Sequence, residues 1–212
     1  MELIDKILWT TWICIAAFLI YLIHLKYLKG WEKLILLILG LNVVAEITAA
    51  YFAASQITNG FIFNTVAPVE RILTLMLYAH NYKSKNGKLL SYLGMSLVIL
   101  IAFAGVFHYP SFQEFHYGTY VISGLVIAVL SYLHLRAMAL EKADQSLLIF
   151  VFSLANLVYF TLMISSMSAF RLANQISDEF GSEILLINQI AYALWSIILI
   201  IGIIWKTKRQ KI

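Results

Sequence analysis

The chain has 212 residues, of which 62% are hydrophobic and only 12% are charged, with a net charge of +4. Soluble globular domains carry about a quarter charged residues, so this composition excludes a soluble globular protein. The small net charge gives no indication of nucleic-acid binding, and the sequence therefore predicts an integral membrane protein embedded in the lipid bilayer.

Seven segments meet the length requirement of a hydrocarbon core, which takes about 17–25 mostly apolar residues of helix. Only helices and closed barrels satisfy their backbone groups in lipid, and continuous apolar runs favour helices over the alternating strands of a barrel. We predict an all-α, polytopic, single-domain bundle formed by residues 1–212. The predicted helices cover residues 7–23, 33–53, 61–82, 89–107, 117–135, 146–168 and 183–205.

Lysine and arginine are concentrated in alternate links between the predicted helices. The links after the first, third and fifth helices and the C-terminal tail contain twelve of the 15, whereas the opposite side contains only Lys6 and Arg171. Positive charges remain on the cytoplasmic side of a membrane. The N-terminus is therefore predicted to be outside and the C-terminus cytoplasmic.

Three acidic or basic side chains fall well inside the predicted helices, away from their ends, namely Glu46, Glu70 and Arg71. A charged residue at the centre of a membrane helix costs about 2.5–3.5 kcal/mol on insertion scales and faces the bundle interior. At a rise of 1.5 Å per residue, Glu46 and Glu70 lie roughly 12 and 14 Å from the outer ends of their helices. Their carboxyl groups are therefore expected at one level.

Other polar residues are predicted at neighbouring levels of the outer half. Pro68 has no N–H and crowds the carbonyl of Asn64, so a bend is expected in the third helix. We predict a ligand-binding site with Glu46, Glu70 and Arg71 at its centre. Its predicted lining consists of Asn42, Asn64, Asn156, Asn188 and Tyr192.

A structural interpretation of the same residues stays open. Buried asparagines hold membrane helices together through hydrogen bonds, and Glu46 with Arg71 would form a natural ion pair.

The longest outer link, residues 169–182, has three open interpretations. The first is an extension of the sixth helix, the second is a short amphipathic helix on the membrane surface, and the third is a solvated loop.

Enzyme and cofactor signatures are missing from the sequence. The predicted seventh helix contains no lysine for a retinal Schiff base, and no zincin, phosphate-loop or G-x-S-x-G motif is present. The histidines, among them His134, fall near helix ends, where we interpret them as interfacial residues. We therefore predict no catalytic residue, metal site or cofactor, and favour a non-enzymatic role over an enzymatic one.

Four segments resemble a family of small seven-helix bacterial integral membrane proteins. They read "NVVAEITAAYF", "FNTVAPVERIL", "LANLVYF" and "LINQIAYALW". The resemblance implies a multi-pass protein of the bacterial inner (plasma) membrane that acts beside signalling histidine kinases. The topology is also similar to that of SWEET-type transporters, which join two three-helix units through a linker helix.

Our functional hypothesis is a sensor, receptor-like or signalling-partner protein that binds a small ligand or cation in its outer half. It would signal to a cytoplasmic or membrane partner. The first alternative is a small-solute or proton-coupled transporter that uses the same site. The second is an intramembrane lipid-modifying enzyme.

Overall fold

The computed structural model describes residues 8–108, 111, 114–140 and 146–210. These residues form seven α-helices and no strand, which confirms the predicted all-α architecture. The helices are α1 (Trp9–Ile23), α2 (Lys33–Ala54), α3 (Gly60–Asn81), α4 (Lys85–His108), α5 (Tyr117–Leu140), α6 (Leu147–Ile176) and α7 (Asp178–Arg209). We call the end where α1 begins the upper end, and the end where α7 terminates the lower end.

Six of the helices, α2 to α7, are long and apolar enough to cross a membrane. The remaining helix, α1, has 15 described residues, and its predicted start at residue 7 lies outside the described residues. It nevertheless runs parallel to α7, because Cys14 contacts Tyr192 and Tyr21 contacts Leu199. The chain is a multi-pass integral membrane protein.

The helices form a closed ring. Each packs on the next along the chain, and α7 packs on α1. In addition, α3 packs directly on α5, which leaves α4 outside as the least buried of the long apolar helices, whereas α6 is the most buried. Large apolar side chains such as Phe107, Ile23 and Leu100 point outward, as expected for a lipid-facing surface.

A seam of polar contacts joins α3 to α5 along their whole length. Partners in the seam are separated by 52 or 53 residues at every level, so the two helices run parallel in constant register. The pairs, from the upper to the lower end, are Asn64 with His116, Arg71 with Ser123, Tyr78 with Ser131 and Asn81 with His134.

Several helices are longer than predicted. Counting apolar residues stops at the first lysine or arginine, but the backbone remains helical beyond the hydrocarbon because these residues are good helix formers. Thus α4 begins at Lys85 and α5 continues through Arg136 to Leu140. The predicted helices cover only the apolar runs, whereas the observed ones include the flanking polar residues.

The link 169–182 is helical almost throughout, so the first of its three interpretations is correct. It contains no proline, and α6 continues to Ile176 before α7 begins at Asp178. Ser177 alone separates them in extended conformation, and its Oγ accepts a hydrogen bond from the Phe180 N–H at 3.1 Å. With about 30 residues each, α6 and α7 are roughly 45–48 Å long and rise above the rest of the bundle.

A buried ion pair closes the lower end. Lys206 of α7 contacts Glu32, which precedes α2, and the Ser146 hydroxyl donates a hydrogen bond to the same carboxylate. The Lys29 N–H also donates to Glu32 at 2.6 Å. The sequence analysis missed this pair because Glu32 lies one residue before its predicted helix. It joins the beginnings of α2 and α6 to the end of α7.

Candidate ligand-binding cavity

The upper half of the ring encloses a cavity of about 340 Å³. Every helix except α4 contributes to its wall, from the loop residues Asn59 and Phe115 at the upper end down to Glu46 and Glu70. Its polar lining residues are Thr10, Asn42, Glu46, Asn59, Glu70, Asn188 and Gln189. Its aromatic lining residues are Phe63, Phe115, Tyr117, Tyr120, Tyr159, Phe170 and Tyr192.

Glu46 and Glu70 enter this cavity from neighbouring helices. Both side chains keep intermediate exposure in the middle of apolar helices, because they face the cavity instead of packed side chains. Glu46 accepts a hydrogen bond from the Thr11 hydroxyl at 3.3 Å, whereas the Asn42 amide, which lines the same cavity as Glu70, donates to the Ile38 carbonyl of its own helix at 3.1 Å. The two carboxyl groups, predicted at one level, both line this cavity.

Arg71 lies behind the cavity wall, and only 1% of its surface is exposed. Its Nη1 donates to the Ser123 hydroxyl, and its guanidinium carbon lies 4.4 Å from the Tyr120 ring centroid and 5.7 Å from that of Phe160. Cation–π contact and a hydrogen bond partly replace the lost hydration of the guanidinium. Arg71 also acts electrostatically on neighbouring Glu70.

A second, small cavity of about 20 Å³ adjoins Arg71, Pro68 and Asn64. This volume is sufficient for one water molecule. Within the described residues the Arg71 Nε has no hydrogen-bond partner, so a water molecule in this small cavity would supply the missing acceptor.

Pro68 lies within α3, which is nevertheless one continuous helix from Gly60 to Asn81.

Aromatic rings form the upper part of the cavity wall. The Tyr117 and Phe170 rings stack with centroids 5.7 Å apart, and Phe115 meets Tyr117 edge-on at 4.7 Å. Phe115 also contacts Phe63 and Tyr120. These contacts connect α3, α5 and α6 at the upper end, and the extension of α6 beyond its predicted end is what brings Phe170 into the wall.

The cavity floor is a layer of buried aromatic and polar groups. The Tyr120 and Tyr159 hydroxyls lie 3.2 Å apart, and the Tyr192 ring stacks on Trp195. Beneath them, Asn156 accepts from the Trp195 indole N–H at 2.7 Å and donates to the Tyr78 hydroxyl at 3.1 Å. This hydrogen-bonded layer separates the cavity from the lower half of the bundle.

Five of the eight predicted site residues line the cavity: Asn42, Glu46, Glu70, Asn188 and Tyr192. The other three do not line it. Arg71 is turned towards Ser123, Asn64 holds the link before α5 through the Glu114 carbonyl (2.7 Å) and the His116 N–H (3.0 Å), and Asn156 lies in the layer below. Among the described residues, the structural ion pair between Glu46 and Arg71 does not form.

The interfacial interpretation of His134 is wrong. Only 1% of its surface is exposed, its ring stacks on Tyr78 with centroids 4.5 Å apart, and Ser153 lies 2.9 Å from its Nδ1. The helical continuation of α5 to Leu140 places this residue one to two turns inside the bundle. Its position near the end of the apolar run misled the sequence analysis.

The sequence analysis also missed most aromatic lining residues, including Tyr120, Phe115 and Phe170. Aromatic side chains are common in membrane helices, so no composition signal distinguishes those that face a cavity. Among residues 8–108, 111, 114–140 and 146–210, no group of three His, Cys, Asp or Glu side chains is arranged to hold a metal ion.

No protein-family model, curated protein or solved structure matches this chain. The family resemblance and the SWEET-type similarity inferred from sequence motifs therefore remain predictions.

Proposed function

We propose that this protein is a receptor-like sensor that binds a small ligand or cation in the upper cavity and signals to a partner in the membrane or cytoplasm. The proposal places it in the bacterial inner membrane with its upper end outside. The observation that supports it most strongly is the cavity of about 340 Å³, which has two carboxyl groups inside the apolar ring.

The surroundings of Glu46 and Glu70 favour ligand binding over a purely structural role. Acidic residues that only join helices have partners in a filled core, because an unpaired buried charge is costly. Here Glu46 receives a hydrogen bond from Thr11, Glu70 is next to Arg71, and both carboxyl groups still border open volume. The volume lies within the range of roughly 300–1,000 Å³ typical of small-molecule sites.

The cavity floor favours sensing over transport. The Tyr78–Asn156–Trp195 layer is buried and hydrogen-bonded, and the Glu32–Lys206 pair fastens the helices again at the lower end. A transporter must open these layers in each cycle. A sensor needs only a shift in helix packing, which α6 and α7 are long enough to pass from one end to the other.

The test is to identify small molecules that purify with the protein. We expect wild-type protein in lipid nanodiscs to release a small molecule on denaturation, detected by mass spectrometry. Val66→Trp, which fills the cavity from its wall, should lack that molecule. Val69→Trp is the matched control, since Val69 is 43% exposed on the outer face of the same helix.

Loss of the bound molecule in both tryptophan variants, or in neither, would contradict binding in this cavity. Flux separates the sensor from the transporter. The identified molecule should bind to proteoliposomes without accumulating inside, and accumulation that disappears in Glu70→Gln would instead establish the transporter.

A further inference from the structure

We propose that the cavity binds a monovalent organic ammonium compound, with the ammonium group at Glu46 and an aromatic or apolar body along the upper rings. This inference rests on the proposed function and specifies the chemical class of its ligand. It follows from charge balance, from the unequal surroundings of the two carboxyl groups and from the aromatic wall.

The balance of charge around the cavity favours a ligand with one positive charge. Among the side chains that the structure describes in the interior of the upper half, the charged groups are the carboxyl groups of Glu46 and Glu70 and the guanidinium of Arg71, which together carry −1 when all are ionised. Uncompensated charge is costly in a low-dielectric interior. A bound monovalent cation brings the net charge of this interior to zero, whereas a bound monovalent anion would make it −2.

Glu46 is the carboxyl group that lacks compensation. Glu70 is adjacent to Arg71 in the chain and is attracted by its guanidinium. Within the described part of the chain, the hydrogen-bond donor to Glu46 is the neutral Thr11 hydroxyl at 3.3 Å. A charge-assisted hydrogen bond from an ammonium group therefore stabilises Glu46 more than Glu70.

A further acceptor lies on the cavity wall. Asn188 lines the cavity, and its Oδ1 is a buried acceptor without a hydrogen-bond partner among the described residues. Buried acceptors are rarely left unsatisfied in folded proteins. A primary ammonium group has three N–H donors, which can be shared between a carboxylate and an amide oxygen.

The upper wall selects an organic rather than an inorganic cation. Phe63, Phe115, Tyr117 and Phe170 form a continuous aromatic surface above the carboxyl groups. Aromatic rings attract ammonium groups and bury apolar surface at the same time. A bare sodium ion would leave this apolar surface and most of the volume without contact.

Arg71 does not offer an anion site. Its guanidinium carbon lies over the Tyr120 and Phe160 rings, its Nη1 donates to the Ser123 hydroxyl, and the separate cavity beside it, about 20 Å³, has room for one water molecule only. Among the described residues that line the large cavity, the uncompensated groups are therefore carboxyl and amide oxygens, which attract cations.

The experiment is calorimetric titration of full-length protein in lipid nanodiscs with three probes of similar shape. Phenethylamine supplies the ammonium group, 2-phenylethanol is its neutral isostere and phenylacetate is an anion. We expect phenethylamine to bind and the other two to bind at least about tenfold more weakly, because hydrogen bonds to charged groups are worth more than neutral ones.

The variants separate the role of Glu46 from that of charge in general. Glu46→Gln should weaken phenethylamine binding by about 10- to 100-fold. Glu46→Asp retains the charge and should recover part of the affinity. Glu183→Gln is the matched control, since Glu183 is exposed near the upper end and does not line the cavity. Size-exclusion profiles verify folding of each variant.

Each other outcome overturns the inference. Equal binding of 2-phenylethanol, tighter binding of phenylacetate, displacement of phenethylamine by equimolar sodium chloride, or absence of binding by all three probes would exclude an organic ammonium ligand. The proposed function is judged separately, by the small molecule that purifies with wild-type protein and is missing from Val66→Trp.

Discussion

Arg71 shows how a single charged side chain is accommodated inside an apolar ring. Its guanidinium lies against Tyr120 and Phe160 and donates to Ser123 of α5, so the charge is shared among three neighbours without a salt bridge among the described residues. Glu46 and Glu70 differ from Arg71 because they face open volume. At the scale of the residue, buried charge is thus divided between a cation enclosed by protein side chains and two acids that border the cavity.

Replacing Ser123 by alanine removes the hydrogen-bond acceptor of a guanidinium whose Nε already lacks a partner in the described residues. We expect Ser123→Ala to lower the free energy of unfolding by about 1–2 kcal/mol, the upper range for hydrogen bonds between membrane helices. Reversible unfolding in mixed detergent micelles measures the change.

Ser165→Ala is the control for that substitution. Ser165 is exposed, and its hydroxyl donates only to the Thr161 carbonyl of its own helix. Its loss should change the free energy of unfolding by no more than about 0.5 kcal/mol. Equal effects of the two substitutions would mean that the Arg71–Ser123 contact contributes nothing specific.

At the scale of the element, close packing between α6 and α7 depends on a small residue. A Cβ added at Gly202 would lie 2.7 Å from Cγ1 and 3.2 Å from Cβ of Val151. The valine side chain is stiff at χ1 and cannot rotate away freely. Small residues at such contacts are typical of membrane helix pairs.

Gly202→Ala should therefore lower the free energy of unfolding by about 1–3 kcal/mol, since overpacking separates the two helices. Adding Val151→Ala should recover part of the loss, because it removes the atoms that clash. Ile201→Ala, at a site 57% exposed, serves as the control. If Gly202→Ala is as stable as wild type, the close approach of α6 and α7 has been overestimated.

The Glu32–Lys206 pair fastens α2 to α7 at the lower end, where both side chains are almost completely buried. Lys206→Met leaves the Glu32 carboxylate buried without its cation, and we expect a loss of roughly 3–5 kcal/mol in the free energy of unfolding. Glu32→Gln combined with Lys206→Met should be more stable than Lys206→Met alone.

Exposed Lys208 provides the control for that pair. Lys208→Met should leave the free energy of unfolding within about 0.5 kcal/mol of wild type. Strictly additive effects of the Glu32 and Lys206 substitutions in a double-mutant cycle would contradict a coupled pair.

The helices were predictable from sequence to the extent that the membrane dictates them. The apolar runs predicted seven helices, but the predicted helices were too short where lysine or arginine belongs to the helix: α4 starts earlier, at Lys85, and α5 ends later, beyond Arg136. Glu46 and Glu70 were identified as site residues because charged residues are rare in membrane-spanning helices. The positions of Tyr120 and Phe170 at the cavity and of His134 in the core were not predicted, because helix packing decides which face of a helix borders a cavity or is buried.

At the scale of the whole molecule, the cavity that contains the two acids lies in the upper half of the ring, whereas an open pocket borders the Glu32–Lys206 pair at the lower end. The buried layer of Tyr78, Asn156 and Trp195 lies between the upper cavity and the lower half. By the distribution of lysine and arginine, the upper half is predicted to face the outside. This arrangement favours the proposed function, in which a ligand binds at the upper end and a partner detects the change in helix packing at the other end.

The most direct test of this account is whether water reaches the interior beside Glu70. Single cysteines are placed at Val66, which lines the cavity, and at Val69, which faces outward on the same helix, in a Cys14→Ser background in lipid nanodiscs. Because only the hydrated thiolate reacts, a trimethylammonium-ethyl thiosulfonate should label Val66→Cys about tenfold faster or more than Val69→Cys. Equal labelling rates at the two positions would contradict a water-accessible cavity, and with it the proposed binding function.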